Sequence, residues 1–230
     1  MLTARDVMTT DVITVSPDAS VADIAKLLRE KRISGVPVVN PDDTVVGIVS
    51  EGDLMSHAQV VGERRRSWWL RLFEQPNAIA HEYARAHGRV ARDVMISPVI
   101  TVDPGASLAE IANTLENHRI KRVPVVKDGK LLGIVTRGNL LQAMATVEIA
   151  RAASVDDRAI RDQIIRRLAA EPWANLNMKN ILVQDGVVHL WGFVENEEER
   201  RALRIAAENA PGTKCVEDHL QRYHIPSAYE

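Results

Sequence analysis

The sequence predicts an α+β protein that consists of two copies of a β-α-β-β-α unit, followed by a smaller α-β-β-α-β unit. The first observation is a duplication: aligning 4–54 with 91–140, with Pro41 skipped, gives 28 identities in 50 pairs. The second is that β-type runs alternate with helical spacing inside each copy. The third is a new pattern of helix, hairpin, helix and strand after Thr146. Because repeated units usually stack on one another, we expect a pseudo-twofold pair with a cleft that suits a small molecule.

Copy one and copy two both open with the pentapeptide ARDVM, at Ala4–Met8 and Ala91–Met95. A short β-type run follows in each, Val12–Val15 and Val99–Val102, and then a proline-containing turn. A helical stretch comes next, and its first residues are typical of an N-cap with an acid three positions later. The residues that predict these caps are the pairs Ser20/Asp23 and Ser107/Glu110.

Two strands and a polar step complete each copy. A Val-Pro-Val-Val strand is followed by a hairpin turn and a second apolar strand, as the Asp128-Gly129 turn of copy two indicates. A polar tetrapeptide then leads into a helix. In the two copies the predicted elements are Val36–Val39 and Val123–Val126, Val45–Val49 and Leu131–Val135, and the steps Ser50–Asp53 and Thr136–Asn139.

The third unit is predicted from its own helical and strand patterns. Ser154 and Asp157 start a helix that carries Ile160, Ile164 and Leu168 on one face. Asn196 and Glu199 are typical of the cap of a second helix. The predicted strands and second helix are Lys179–Gln184, Val187–Val194, 197–210 and Thr213–Tyr223.

These motifs resemble those of two known families. The DVM start, the T-V-x-P step, the V-P-V-V strand and the closing G-I-V-[ST]-x-G-[DN]-L resemble a tandem pair of CBS (cystathionine-β-synthase) domains, a Bateman module. The third unit, with V-x-L-x-G-x-V at Val188–Val194, resembles a BON domain, and Gly192 carries most of that likeness. The predicted domains are a first CBS domain over 1–57, a basic and aromatic helical insertion over 58–90, a second CBS domain over 91–146 and a BON domain over 155–225.

The CBS resemblance implies an adenosine-containing regulatory ligand such as AMP, ADP or ATP. In that family the Ser or Thr of the closing motif lies near phosphate, and the Asp three residues later accepts hydrogen bonds from the ribose. Adenine packs near the first strand and the V-P step. With the charged neighbours of these motifs, the candidate nucleotide-binding residues are Ile13, Thr14, Ser34, Val36, Pro37, Ser50 and Asp53 in copy one, and Ile100, Thr101, Lys121, Arg122, Val123, Pro124, Thr136, Arg137 and Asn139 in copy two.

The two copies differ where a ligand would be selected. Copy two has Lys121-Arg122 before its V-P step and Arg137 in its closing motif, whereas copy one has Ser34-Gly35 and Glu51. We therefore predict unequal sites: copy one suits an adenosine moiety, and copy two is rich in charge for phosphate. Asn139 departs from the family's Asp, so ribose recognition differs as well. Two plainer interpretations stay open: the closing motifs are only helix N-caps, and the Lys-Arg pair is a solvated edge.

The insertion combines basic and aromatic residues. Over 55–92 there are seven basic and three acidic residues, and the segment RRRSWWLRLF would place four apolar side chains on one helical face. That face suits a membrane interface, a partner protein, or packing on the protein's own core or dimer. The candidate partner or membrane residues are Trp68, Trp69, Leu72 and Phe73.

Composition and motifs argue against several classes of protein. A net charge of −2 does not favour nucleic-acid binding through bulk charge. No hydrolase, P-loop or dinucleotide motif occurs, so we expect no enzyme activity. Cys215 and His219 lie four apart in a predicted strand and are interpreted as an ordinary half-buried pair, so no metal is expected. No signal-peptide pattern or apolar run of about 20 residues occurs, which favours a soluble, cytoplasmic protein.

The predicted function is signal transduction by a regulatory nucleotide sensor. An adenine nucleotide in the CBS cleft would modulate the BON domain and its partner, and CBS pairs generally form homodimers. The BON family is associated with phospholipid or small hydrophobic ligands, but 155–230 holds 10 basic and 13 acidic residues, so a protein partner is supported at least as well as lipid. The alternative is a ligand-free dimeric scaffold that docks a membrane or protein through the BON domain and the Trp68/Trp69 helix.

Overall fold

The computed structural model describes residues 2–55, 88–146 and 155–222. The helices with both ends in these ranges are α1 (Ala4–Val7), α2 (Val21–Lys31), α3 (Ala91–Val94), α4 (Leu108–Asn117), α5 (Arg137–Thr146), α6 (Val155–Ala169) and α7 (Glu197–Glu208). The strands are β1 (Gly35–Val39), β2 (Val45–Ser50), β3 (Arg122–Lys127), β4 (Lys130–Thr136), β5 (Lys179–Gln184), β6 (Val187–Val194) and β7 (Cys215–Arg222). Residues 51–55 are also helical, and a 3-10 turn covers Leu176–Met178. These mixed elements confirm the α+β class.

The chain divides into two compact units. The smaller unit contains Ile13–Ile100 and Asp128–Leu131, and the larger unit contains Met1–Val12, Thr101–Lys127 and Leu132–Glu230. The larger unit therefore combines most of copy two, the first residues of the chain and the whole of the third unit. Most of the predicted insertion, including Trp68, Trp69, Leu72 and Phe73, lies outside the described residues.

The leading pentapeptides form the four-residue helices α1 and α3, and each packs on the copy to which it does not belong. In the larger unit the backbone N–H of Ala4 donates to Ala106 at 2.8 Å. In the smaller unit the N–H of Ala91 donates to Ala19, also at 2.8 Å. The two copies thus exchange their first elements, which the order of motifs along the chain does not reveal.

Glycine in the closing motif makes this exchange sterically feasible. A Cβ on Gly133 would lie 2.5 Å from the Sδ of Met8 and 2.8 Å from the carbonyl oxygen of Thr9. In the smaller unit a Cβ on Gly47 would overlap the side chain of Met95. In each unit, therefore, the glycine of G-I-V from one copy contacts the methionine of D-V-M from the other copy.

The prediction that each copy begins with a regular strand is wrong. Val15 forms a single parallel bridge with Val38, and Val102 forms one with Val125. The neighbouring position of β1 is Pro37, which has no N–H to donate, so the ladder cannot extend across it. Each copy is consequently a short helix, one bridge, a helix, a hairpin and a closing helical segment.

The helix caps and hairpins follow the prediction. The Ser20 hydroxyl accepts from the N–H of Asp23 at 3.0 Å, and the Ser107 hydroxyl accepts from the N–H of Glu110 at 3.2 Å. Strands β1 and β2 pair antiparallel, with Val36 opposite Val49, and β3 pairs with β4. The core of the smaller unit contains Ile24, Leu28, Val36, Val38, Val49, Ala91 and Val94.

The third unit is a three-stranded sheet covered by α6 and α7. Strands β5 and β6 pair antiparallel, and β6 pairs with β7 in parallel across the connection that contains α7. Ile160, Ile164 and Leu168 lie in its core as predicted. Gly192 has φ +120, and a Cβ there would overlap the carbonyl of Met178, which confirms that the strand needs a small residue at this point.

Two boundaries in the third unit differ by up to two residues from the prediction. Helix α7 ends at Glu208 instead of 210, and β7 begins at Cys215 instead of Thr213 and continues to Arg222. The predicted last residue of this strand, Tyr223, lies outside the described residues. The N–H of Asn209, the C-cap, donates to Ile205 at 3.0 Å and closes the helix two residues before Pro211. Within the described ranges, no helix has the length and apolar content that a bilayer crossing requires.

Candidate functional site

The closing motif of copy one brings Ser50 and Asp53 together in the smaller unit. Ser50 ends β2, and its N–H and hydroxyl donate to the Oδ2 of Asp53 at 2.9 and 2.7 Å. The contact from the Ser50 N–H to the Asp53 carboxylate is one half of a capping box. A carboxylate accepts about four hydrogen bonds, so a capping role and a ribose-binding role are compatible for Asp53.

The other predicted residues of copy one lie on the neighbouring elements. The N–H of Glu51 donates to the carbonyl of Ser34 at 3.2 Å, so the start of the closing helix lies against the residue that precedes β1. Ile13 packs on the core and Thr14 is half-buried. The two remaining candidates, Val36 and Pro37, are buried, and Val36 has no exposed surface.

The closing motif of copy two repeats this geometry in the larger unit. The N–H and hydroxyl of Thr136 donate to the Oδ1 of Asn139 at 2.8 and 2.7 Å. The N–H of Asn139 donates back to the Thr136 hydroxyl at 3.3 Å. Asn139 is buried, and its amide adds N–H donors where an aspartate offers only acceptors. The two closing motifs share one backbone geometry but present different hydrogen-bonding groups.

Two of the three predicted cations of copy two lie beside the first turn of α5. The N–H of Arg137 donates to the carbonyl of Lys121 at 3.2 Å, and its guanidinium donates to the carbonyl of Ile120 at 3.3 Å. Lys121 and Arg137 are exposed and Arg122 is half-buried. A helix N-terminus carries a partial positive charge, so cations at this end add to a field that favours an anion.

The remaining candidates of copy two are less uniform in exposure. Val123 and Pro124 are buried, Thr101 is exposed and Ile100 is half-buried. Ile100 belongs to the smaller unit by its contacts, whereas Thr101 belongs to the larger unit. The same backbone hydrogen bond occurs at equivalent positions of the two copies. It joins Glu51 to Ser34 in copy one and Arg137 to Lys121 in copy two.

The last turns of α5 contact the third unit. The side-chain amide of Asn180 donates to the Oε1 of Gln142 at 2.9 Å. The indole N–H of Trp191 donates to the hydroxyl of Thr146 at 3.0 Å. Helix α5 therefore begins beside the predicted nucleotide residues Thr136, Arg137 and Asn139 and ends on the β5–β6 hairpin.

Two arginines of α6 join the third unit to α1. Arg161 is buried, and its guanidinium donates to the carbonyls of Ile181, Arg5 and Met8 at 2.7, 3.1 and 2.6 Å. Burial lowers the pKa of Arg161 to about 10, so it stays charged at neutral pH. Sequence reasoning missed this contact, because an arginine among the apolar positions of an amphipathic helix does not reveal its acceptors.

The second arginine forms a two-point ion pair. The Nε and Nη2 of Arg158 donate to the two carboxylate oxygens of Asp6 at 2.6 and 2.9 Å. Burial raises the pKa of Asp6, but hydrogen bonds from Arg158 and Thr3 and the Arg158 charge outweigh it, and the pKa lies below its ordinary value. Asp6 is therefore a charged anchor at neutral pH.

Sequence reasoning also missed a group of side chains on β6 and β7. His189, Glu217 and His219 have ligand-type atoms within 4.8 Å of one another. Burial lowers the pKa of His189 and the charge of His219 adds to this effect, while the Glu217 carboxylate opposes it. The interpretation that Cys215 and His219 form a pair missed His189, because only the parallel register of β6 and β7 brings it close. The alternating H-x-W and E-x-H patterns were the available signal.

Comparison with known families assigns the domains. The CBS domain family matches residues 4–59 and 91–146, and the BON domain family matches 156–222. An uncharacterized protein of Methanocaldococcus jannaschii is 34% identical over 151 residues, which are 61% of this chain and 89% of that protein. The chain belongs to the CBS-domain family and carries a BON domain. The elements α6, β5, β6, α7 and β7 are thus the BON domain.

Two further comparisons concern one plant protein. The chloroplastic CBS domain-containing protein CBSX2 of Arabidopsis thaliana is 33% identical over 144 residues, which are 58% of this chain and 59% of that protein. This chain thus spans less than two thirds of that relative's length. The crystal structure of CBSX2 in complex with AMP matches 64% of this chain and 99% of that chain, with 32% identity and a TM-score of 0.56.

Proposed function

We propose that this CBS-domain protein is a regulatory adenine-nucleotide sensor in which ligand binding at the CBS repeats modulates the BON domain and its partner. The likeness to CBSX2 in complex with AMP supports an adenosine-containing ligand. The paired closing motifs support it as well, since each holds a hydroxyl and a polar side chain at a helix start. AMP, ADP and ATP are the candidate ligands.

The sites are proposed to be unequal. Copy one offers the Asp53 carboxylate, and a carboxylate can accept hydrogen bonds from both hydroxyls of a ribose. Copy two offers the amide of Asn139 with Lys121, Arg122 and Arg137 nearby in sequence or space. Phosphate recognition is therefore assigned mainly to copy two and ribose recognition mainly to copy one.

The contacts at the two ends of helix α5 support the proposed coupling between the CBS repeats and the BON domain. Its first turn holds Arg137 and Asn139, and its last turns contact Asn180 and Trp191 through Gln142 and Thr146. A ligand that moves the start of a rigid ten-residue helix also moves its end, about 14 Å away at 1.5 Å per residue. The ligand shifts this equilibrium only by its different affinity for the two arrangements.

A homodimer is proposed as the functional form. Leu141 and Met144 are 65% and 67% exposed on α5, three residues apart on one helical face. Met55, which aligns with Leu141 in the duplication, is 62% exposed. Exposed apolar side chains at equivalent positions of both copies are typical of a surface that another subunit covers. Light scattering coupled to size exclusion would measure the mass directly.

Nucleotide titration is the first test. We expect AMP, ADP or ATP to raise the melting temperature of the full chain in proportion to the logarithm of ligand concentration above Kd. Calorimetric titration should give two unequal binding events, or one strong event for the site that fills. No shift with any adenosine ligand would contradict the sensor and favour a ligand-free scaffold.

Three variants assign the sites. Arg137→Gln should weaken ATP more than adenosine, because the lost cation interacts with phosphate. Asp53→Asn should weaken adenosine and AMP alike, because it removes a ribose acceptor. Lys127→Gln, an exposed cation at the end of β3, is the matched control and should leave both affinities unchanged. Equal losses for all three variants would show a general charge effect.

Hydrogen exchange tests the coupling separately from binding. We expect a bound nucleotide to change the exchange rates of the β5 and β6 amides, and Thr146→Val to reduce that change while nucleotide affinity stays within about threefold. Nucleotide binding without any response in the BON domain would leave the CBS site in place and contradict the proposed modulation.

A further inference from the structure

The register of the BON sheet places three metal-ligating side chains on one face. In the parallel β6–β7 pair, His189 lies opposite Glu217 and Trp191 lies opposite His219. Side chains two positions apart in a strand point to the same face, so Glu217 and His219 share the face that His189 and Trp191 occupy. The constellation therefore follows from the strand register and does not depend on a flexible loop.

The spacing of the three ligand atoms matches a metal tetrahedron. The Nδ1 of His189 lies 3.3 Å from the Nε2 of His219 and 3.2 Å from the Oε2 of Glu217. The Nε2 of His219 lies 3.5 Å from the same Oε2. A tetrahedral zinc ion with bonds of about 2.0–2.1 Å separates its ligands by about 3.3–3.4 Å. All three edges of the triangle lie within about 0.2 Å of that spacing.

The two histidine rings lie close enough to share an ion. The ring centres of His189 and His219 are 5.6 Å apart and the ring planes differ by 8°, while the facing nitrogens are only 3.3 Å apart. The rings therefore face each other edge to edge and each nitrogen points at the other, as in an N–H···N hydrogen bond. An ion bound to both nitrogens at about 2.0–2.1 Å lies beside the line between them, so the rings must turn about their side-chain bonds to direct both lone pairs at it. Without an ion, this space holds at most one N–H···N hydrogen bond, because a neutral imidazole has one donor and one acceptor.

Burial and neighbours hold the group in place. The side chain of His189 is 9% exposed, that of His219 is 32% exposed and that of Glu217 is 55% exposed. Trp191 stacks on His219 with ring centres 4.0 Å apart and planes 14° apart, and Thr146 fixes the indole N–H. Two ligands are thus fixed by packing, and the exposed carboxylate faces solvent, where a fourth position would stay open to water or another ligand.

We propose that His189, Glu217 and His219 form a site for a divalent transition-metal ion of the zinc class on the BON domain. Two imidazoles and one carboxylate form a donor set that suits zinc and neighbouring ions of intermediate softness. Calcium and magnesium prefer sites made of oxygen ligands and are not expected to bind here. The sequence predicted no metal, because β6 and β7 are joined by a helix and their pairing is not visible along the chain.

Zinc titration of the chelator-treated full chain tests the site. Calorimetry with Zn²⁺ alone should give one event per chain in addition to any site elsewhere. Co²⁺ in place of Zn²⁺ should give visible absorption bands that report nitrogen and oxygen ligation. Zn²⁺ should also raise the melting temperature of the wild type as its concentration increases. Mg²⁺ at the same concentrations should produce none of these signals.

Matched variants decide whether these residues hold the metal. Glu217→Gln keeps the shape of an exposed side chain and should weaken Zn²⁺ by about tenfold or more, and His219→Gln should weaken it further. His118→Gln, an exposed histidine at the end of α4, should bind Zn²⁺ like the wild type. The melting temperature in chelator shows that each variant folds. Wild-type zinc affinity in both Glu217→Gln and His219→Gln, or loss of affinity in His118→Gln alone, would overturn the proposal.

Discussion

The two ARDVM segments have the same sequence and the same local structure but different neighbours. Both form four-residue helices, and in both the aspartate accepts backbone N–H groups just before the helix, from Thr3 to Asp6 and from Val90 to Asp93. In α1, however, Asp6 also binds Arg158 through both oxygens. The BON domain is therefore attached to one copy of a duplicated motif.

The difference shows that a repeat motif can serve a second purpose without changing its sequence. The last carbonyls of a short helix have no partner within the helix. In α1 the carbonyls of Arg5 and Met8 accept hydrogen bonds from the Arg161 guanidinium. A cation at a helix C-terminus is favourable for the same reason. The docking information therefore lies mainly in α6, and the motif provides backbone acceptors, the Asp6 carboxylate and the Arg5 guanidinium, which donates to Asp162 of α6 at 3.4 Å.

Arg161→Met should have the largest effect on this comparison. The substitution leaves three carbonyl oxygens without their donor in a buried place, and each unsatisfied acceptor costs about 1–3 kcal/mol. We expect the free energy of unfolding of the BON domain to fall by about 3–5 kcal/mol, measured by urea denaturation and by exchange of the β5 amides.

Arg166→Met is the matched control, because Arg166 is an exposed cation on the same helix. It should change the free energy of unfolding by no more than about 0.5 kcal/mol. A similar loss in both variants would mean that helix charge, and not the contact with Arg5, Met8 and Ile181, stabilises the BON domain.

Asp6→Asn and Asp93→Asn compare the two copies at equivalent positions. Asp6→Asn removes a charge-assisted, two-point interaction with Arg158 and should cost about 1.5–3 kcal/mol. Asp93→Asn alters a helix cap and should cost about 1 kcal/mol or less. Urea denaturation of both variants at pH 7 measures the gap, and equal costs would show that Arg158 adds no stability.

The sequence predicts much of the local structure but not these contacts. The Ser20 and Ser107 caps, the β5–β6 hairpin and the need for Gly192 follow from residue types and spacing. The exchange of α1 and α3 between copies does not, because two identical pentapeptides are equally compatible with either partner. The Arg161 contact is also hidden, since its acceptors are backbone carbonyls that carry no sequence signal.

The candidate sites divide in the same way. The closing motifs place a hydroxyl and a polar side chain at a helix start in both copies, which the pattern predicts. The His189 cluster depends on the parallel register of strands that are separated by a helix, so pairing information is needed. Residues on one element are predictable from its period, whereas residues that meet across elements are not.

Gly133→Ala and Gly47→Ala test how freely each motif can relax. In copy two the new Cβ would meet Met8 and the backbone oxygen of Thr9, and the Met8 carbonyl is held by Arg161. In copy one the three nearest atoms all belong to the Met95 side chain, whose outer atoms can move. We expect Gly133→Ala to cost about 1–3 kcal/mol and Gly47→Ala about 1 kcal/mol less.

Thermal and urea denaturation measure these two costs. Combining Gly133→Ala with Arg161→Met should cost less than the sum of the two single changes, because α1 is then free to shift. Additive costs would indicate that Met8 is not held by the BON domain, and a larger cost for Gly47→Ala would reverse the comparison.

The smallest expected effect is a difference in acid stability. Hydrogen bonds from Arg158 and Thr3 lower the pKa of Asp6 below its ordinary value near 3.8 in spite of burial. The folded protein therefore binds a proton at Asp6 less readily than the unfolded chain does. The stabilisation from Asp6 is present above about pH 4 and is lost as the pH falls through the folded-state pKa.

Urea denaturation of the wild type and of Asp6→Asn over a series of pH values checks the direction of this pH dependence. The gap in free energy of unfolding between them should be constant from pH 7 to about pH 5 and should narrow below about pH 4. Asp93→Asn is compared with the wild type over the same pH series as the control. Asp93 is the equivalent carboxylate at the start of α3, so this comparison shows how much of the narrowing arises without an ion pair to Arg158. If the Asp6→Asn gap widens in acid, the pKa of Asp6 must be raised in the folded protein, and burial then outweighs the ion pair that joins the BON domain to the first helix.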